Sequence, residues 1–429
     1  MSVKSPKPRL RRRLLVVSAG LAILATPALA SADEPGWSST GQALDSGVQH
    51  GYQLAMDDVN RVVYNTDSFW RRENKVPVYD SAGTEIGYTI QALPGTGKLA
   101  RFDVASRFRL TDISYLGLTR LGLTSRESAP LDWTGVTGSS VTSIRSNVSP
   151  YGAAVDPLTP GGPTIITTAA RQSAVVVYRV ADGPTDADVI WKTDGGGDNW
   201  FNGVRRVAVN TKTHKAYVTN FGDSRGATPG STFPGNVTVI DLVTKKVEAR
   251  VTVPGFTGAI GVDVDEDHNR IYVGSMTGDR LSVIDGSKVK TSDPESFTLN
   301  DDAITELPAV VNPNARPTYN PELKRVYVSA YDDQTITAVD ADPASPAYGT
   351  VITRWVAGDT NANEVDGRRG LLYSANLKDN EVKVFSTDDH RELLTIPTSG
   401  QALNIAIDPV TRDAWVSNFS STGKVDVLS

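Results

Sequence analysis

The chain has 429 residues, with 43 Lys and Arg against 49 Asp and Glu, no Cys, 37 Gly, 24 Pro and a hydrophobic fraction of 39%. That is too much apolar material for a disordered chain, and the glycines follow no collagen-like triplet. Without cysteine there is no disulfide framework, thiolate metal site, iron–sulfur cluster or lipidated N-terminal cysteine.

The first thirty residues read as an address. Lys4, Lys7, Arg9, Arg11, Arg12 and Arg13 carry six positive charges with no acidic residue among them, and an apolar run from Leu14 to Ala25 follows directly. Ala28-Leu29-Ala30 then offers the small residues that a signal peptidase accepts. The run falls short of the roughly 20 residues of a spanning helix and Pro27 interrupts its end, so residues 1–30 are expected to be an export signal. Arg11-Arg12-Arg13-Leu14-Leu15 also resembles a twin-arginine signal, which leaves two export routes open. Removing six of the 43 basic residues leaves 37 against 49 acidic ones, a balance of −12 for the mature chain. General affinity for nucleic acid or anionic lipid is therefore not expected, and no other stretch approaches membrane-spanning length.

The length allows several ordinary domains or one large repeat domain, so periodicity decides. A polar residue followed seven positions later by an aromatic one recurs in six places: Asp57 with Tyr64, Asn210 with Tyr217, Asp265 with Tyr272, Asn320 with Tyr327, Asp366 with Tyr373 and Asp408 with Trp415. A seventh copy starts at Asp156, where Thr159-Pro160-Gly161-Gly162 lengthens the turn. An alternating segment such as Val207-Ala208-Val209 precedes each marker and reads as a strand. The Asp or Asn opens a turn by hydrogen-bonding the backbone ahead of it. A strand carrying the aromatic comes next, then a third such as Val237–Asp241 and a fourth such as Val247–Val251. Aromatic spacings of 55, 55, 46 and 42 residues from Tyr217 to Trp415 fit propeller blades and show no 3.6-residue period.

The strings KAYVTN at Lys215, RIYVGS at Arg270, RVYVSA at Arg325 and AWVSNF at Ala414 resemble the YVTN repeat of YncE-like and surface-layer-associated β-propellers. The resemblance covers roughly residues 48–429 and is strongest from 203 onward. It implies an all-β, seven-bladed propeller of four-stranded antiparallel blades, acting by binding rather than catalysis. Residues 49–429 are assigned to the propeller, with an insertion expected at about 94–146 where the repeat fails. The chain ends on the third strand of the seventh copy, so residues 31–48 are expected to supply its fourth and close the ring.

Inner strands line a propeller's channel, and the loops leading into them open on one face. Counting back four and five residues from the markers places Tyr52, Tyr151, Arg205, Arg206, Arg316, Asn361 and Asn404 at strand starts, with His50 nearby and Trp70 on a neighbouring loop. Guanidinium forks and planar rings suit an anionic or aromatic small molecule. The bland reading pairs these arginines with Asp359 and Glu364 and lets the aromatics cover loop backbone.

Two function classes remain. One is a secreted, monomeric binding propeller without cofactor or metal, serving a small molecule or a cell-surface partner. The other is an extracellular lyase or lactonase-type hydrolase using His50 with Glu364 or Asp359 as an acid/base pair. The four histidines sit on different turns, so no multi-histidine metal site is expected. Cleavage after Ala30 should give a mature N-terminus at Ser31, with Ala32 as second choice, read by intact mass of the secreted chain; a full-length membrane-embedded form would overturn the export reading.

Overall fold

In a computed structural model the chain divides into residues 1–37 and residues 38–429. The structure describes residues 42–429 apart from 47–49, 68–72, 80, 81, 83, 93–97, 115–149, 170–173, 181–187, 191–200, 202, 223–234, 253–257, 277–279, 291–300, 308–314 and 420–422. The expected export signal (residues 1–30), residues 31–41 and Trp70 lie outside the described residues.

Seven four-stranded antiparallel sheets form the blades of a β-propeller. Their inner strands are Gly51–Asp57, Pro150–Asp156, Val204–Asn210, Ala259–Asp265, Ala315–Asn320, Thr360–Asp366 and Ala402–Ile407, here blades 1 to 7. Gln42–Asp45 pairs antiparallel with Lys424–Leu428 as the outer strand of blade 7, so an N-terminal strand closes the ring. Ser46 extends the junction by donating its N–H (2.7 Å) and hydroxyl (2.8 Å) to the Gly423 carbonyl.

Blade 1 departs from the boundaries expected for the insertion. Lys98–Asp103 and Arg109–Ser114 are its third and fourth strands, and the extra element is the hairpin of Glu73–Tyr79 with Glu85–Ala92, between strands two and three. The alternating sequence of that hairpin imitates outer blade strands and displaces the true third strand beyond residue 94. Residues 115–146 of the expected insertion lie outside the described residues.

The aromatics seven places after the markers are core. Tyr64, Tyr217, Tyr272, Tyr327, Tyr373 and Trp415 are at most 1% exposed. Several pack onto the next blade: Tyr64 with Val155 and Ile165, Tyr217 with Val262 and Ile271, Trp415 with Leu54 and Val63. Burying such a ring contributes roughly 1.5–3 kcal/mol. Blade 2 lacks an aromatic at that position and places Tyr178 of its third strand in the same core.

The markers are buried polar residues whose side chains organise the first turn. Asp57 Oδ1 accepts the Asn60 N–H at 2.7 Å, and Asn320 Oδ1 accepts the Leu323 N–H at 2.8 Å. Four residues after the marker the backbone turns left-handed, at Arg61 (φ 59°), His214 (55°), Asn269 (49°), Lys324 (48°), Gly370 (66°) and Arg412 (66°). At four of the seven interfaces that residue reaches back to the marker of the preceding blade. His214 Nδ1 lies 2.7 Å from Asp156, Asn210 Nδ2 donates to Asn269 at 2.9 Å, and Arg412 donates to Asp366 at 3.3 Å. Arg61 forms a two-pronged pair with Asp408 across the junction of blades 1 and 7.

Burial of Asp408 opposes its ionisation, but hydrogen bonds from Arg61, Thr411 and the local backbone hold its carboxyl well below the usual carboxylate range. Arg61→Ala should therefore destabilise the ring by about 3 kcal/mol, because a buried charge loses its partner. Arg109→Ala, whose partner Asp112 lies on the outer strand, should cost under about 1 kcal/mol. Urea unfolding at neutral pH reads both. A depressed carboxylate pKa stabilises above the unfolded value and ceases to do so as pH falls, so the Arg61 penalty should shrink on acidification below pH ~4.

Candidate functional site

Side chains on a strand alternate between faces, so every second inner-strand residue points into the channel. The residues four before the markers are Gln53, Gly152, Arg206, Gly261, Arg316, Ala362 and Asn404, and those two before are Ala55, Ala154, Ala208, Asp263, Thr318, Glu364 and Ala406. Three of the first seven and four of the second seven are Ala or Gly, which leaves space unfilled. A cavity of about 510 Å³ results, lined by all of these residues except Gly152. It extends to the first-turn residues Asp58, Val59, Pro157, Leu158, Thr211, Glu266 and Pro409, of which Val59 and Leu158 are more than half exposed.

The arginine layer lies deepest from those turns. Arg206 and Arg316 are 7% and 6% exposed. Arg316 Nη1 donates to the Asn361 carbonyl, while Arg316 Nε and Arg206 Nε and Nη2 have no hydrogen-bond partner among the described residues. Arg206 Cζ stands 6.0 Å from the Tyr52 ring centroid. Burial, followed by repulsion from Arg316, pushes the Arg206 guanidinium down to about 9, and burial also lowers Arg316. Both remain cationic at neutral pH, two like charges in one enclosed space.

The next layer holds two carboxyl groups. Burial raises Asp263 to about 6 against hydrogen bonds from the backbone of Tyr319 (2.6 Å) and Val264. Burial and then the charge of Asp263 raise Glu364 to about 8, against the Val365 N–H at 3.2 Å. Asp263 thus ionises first and its charge holds Glu364 protonated; the two titrate as a coupled pair. Both keep part of their surface open to the cavity, where water screens them. Between them the Thr318 hydroxyl donates to Asn363, 2.9 Å to Oδ1, and Asn363 Nδ2 has no partner among the described residues.

The strand-start residues divide into two groups. Arg206, Arg316 and Asn404 line the cavity, with Asn404 Oδ1 accepting the Leu54 N–H at 2.9 Å. Tyr52, Tyr151, Arg205 and Asn361 form a buried layer outside that lining. The Tyr52 and Tyr151 hydroxyls touch, Arg205 stacks over Phe221 (4.9 Å) and Tyr151 (5.7 Å), and Asn361 donates to the Leu403 carbonyl at 2.8 Å. His50 packs edge-on against Phe419, 4.9 Å between centroids, and its N–H meets Asp67 at 3.4 Å. Asp359 accepts the Lys378 N–H at 2.5 Å, and burial raises its pKa. Glu364 faces Asp263 instead, so these three occupy different surroundings. Asp263 escaped the sequence reading; its signal is a carboxylate in register with Ala55, Ala154, Ala208 and Ala406 of other blades.

No protein-family model and no curated protein matches the chain.

A carboxyl whose folded pKa lies above its unfolded value stabilises at low pH and weakens the fold as pH rises toward the folded value. Asp263 and Glu364 should therefore make stability fall between pH ~4 and ~8, by at most about 1.4 kcal/mol per pH unit per group and less where cavity water screens it. Glu364→Gln should flatten the upper part of that fall and raise the melting temperature at pH 8, in melts at constant ionic strength. An unchanged pH profile would place Glu364 in bulk-like solvent.

Proposed function

We propose that the chain is an exported, YVTN-type binding propeller that holds a small anionic ligand in its central channel. One observation carries this reading: Arg206 and Arg316, each more than nine-tenths buried, line a 510 Å³ cavity with guanidinium nitrogens that no described residue satisfies. Two neighbouring buried cations cost several kcal/mol unless something neutralises them, and the nearby carboxylates face each other one layer away. An anion bridging both guanidinium groups supplies that charge through bidentate contacts. Export rests on the basic residues from Lys4 to Arg13, the apolar run after them and the Ala-Leu-Ala site. The repeat strings support the YVTN assignment, and a cell-surface partner remains compatible with the same propeller.

A second reading, a lyase or hydrolase, draws on Glu364, a carboxyl held protonated near neutral pH inside a pocket and so suited to general-acid work.

Arg206→Gln with Arg316→Gln preserves side-chain length and removes both charges. The double variant should fold, lose at least tenfold in affinity for acetate, and show a flatter salt dependence of what remains, measured by calorimetric titration of the mature chain. Unchanged affinity removes the anion reading. Turnover of a bound anion that disappears in Glu364→Gln while binding persists moves the site to the enzyme reading.

A further inference from the structure

An anion between Arg206 and Arg316 leaves the acidic layer unused. Asp263 and Glu364 lie two inner-strand residues further toward the first turns, a rise of roughly 6.6 Å. A second anionic group on the ligand would meet the Asp263 carboxylate and be repelled. An ammonium there would find three kinds of acceptor, matching its three donors: the Asp263 carboxylate, the carbonyl oxygen of the Glu364 carboxyl and the Thr318 or Asn363 side-chain oxygens. Glu266 and Asp58, nearer the open end, add negative potential on the same side.

We propose that the channel ligand is a zwitterion of dipeptide size, its carboxylate held by Arg206 and Arg316 and its ammonium by Asp263, Glu364 and Thr318. The proposal rests on the anion-site reading above. Extended chain advances at most ~3.3–3.6 Å per residue, so the terminal charges of a dipeptide stand up to roughly 7 Å apart and match the layer separation. An α-amino acid holds its charges too close together to span both layers. The remaining wall explains what lies between the charges. Ala55, Ala154, Ala208 and Ala406 make one arc of the cavity small and apolar, while Asp263, Thr318 and Glu364 occupy the opposite arc. Short aliphatic side chains fit against the alanine arc. A ligand entering from the first-turn end does so carboxylate first, because the arginines lie beyond the acids.

The test uses the mature chain and calorimetric titration with dialanine, dileucine, their N-acetyl forms, their C-terminal amides and free alanine. The zwitterionic dipeptides should bind at least tenfold more tightly than either capped form and than alanine. Asp263→Asn with Glu364→Gln should abolish the preference for the free amine without weakening the N-acetyl forms, while Arg206→Gln with Arg316→Gln should weaken both. Melting curves confirm that the variants fold, and the wild-type ligand series decides the question without them. N-acetyl dipeptides binding as tightly as free ones would overturn the zwitterion proposal and leave the anion site standing. Amides binding as tightly as free dipeptides, or no binding by dipeptides and N-acetyl forms alike, would overturn both.

Discussion

The ring depends on a clasp between neighbouring first turns. A buried Asp or Asn ends each inner strand of the described sheets, and at four blades a left-handed residue four places on projects its side chain toward the preceding blade. Left-handed backbone is costly for residues with a Cβ, and Arg61, His214, Asn269 and Arg412 adopt it where their side chains satisfy a buried polar partner. The strain and the buried polar group thus offset each other at one place. Where Gly370 occupies the position no side chain is available, and neighbouring turns connect through Arg368, which donates to Glu322 of the preceding blade at 2.7 Å. The Arg61–Asp408 clasp differs in consequence, since it spans 347 residues of sequence and joins the first blade to the last.

By fixing the end of each inner strand, the clasp also fixes which residues meet in the channel. Inner strands anchored at a common level present residues of equal offset as layers, which brings Arg206 and Arg316 together and sets Asp263 level with Glu364. The packing order is therefore markers first, aromatic cores between sheets second, channel chemistry last. Alanine and glycine at most of the remaining channel positions leave the charged groups with space beside them. Bulkier residues there would have filled the channel, as side chains fill small barrels.

Much of this was legible in the sequence, because the marker, turn and aromatic recur at constant offsets and each offset has a local physical cause. The closing strand Gln42–Asp45 followed from counting strands, although its composition gives little strand signal. Blade 1 was misjudged where a hairpin with strand-like alternation interrupts the count. In the channel, Arg206, Arg316 and Asn404 could be placed by offset alone. The separation of Arg205 from Arg206 follows from alternation, and the bulge between Val204 and Val207 sets where that alternation restarts. Asp263 was not recognised because an isolated Asp in an alternating segment resembles any solvent-facing strand residue. Its meaning appears only beside Glu364, two blades away, and that proximity is tertiary.

The charge arrangement of the channel runs against what stability alone favours. Replacing Arg206 and Arg316 by apolar side chains of similar volume, or bringing Asp263 and Glu364 within reach of them, would relieve two sources of unfavourable energy at once. Instead, like groups are gathered in successive layers, and the cations sit deep inside a chain whose formal net charge is −6. The net negative charge gives anions no long-range attraction, and a simple anion entering from the first-turn end passes Asp58, Glu266 and the acidic layer before reaching the arginines. A molecule carrying both charges meets a smaller barrier, because its ammonium gains where its carboxylate loses. Local rules are thus broken together, in one cavity and in complementary senses, which is the pattern the proposed zwitterion would relieve.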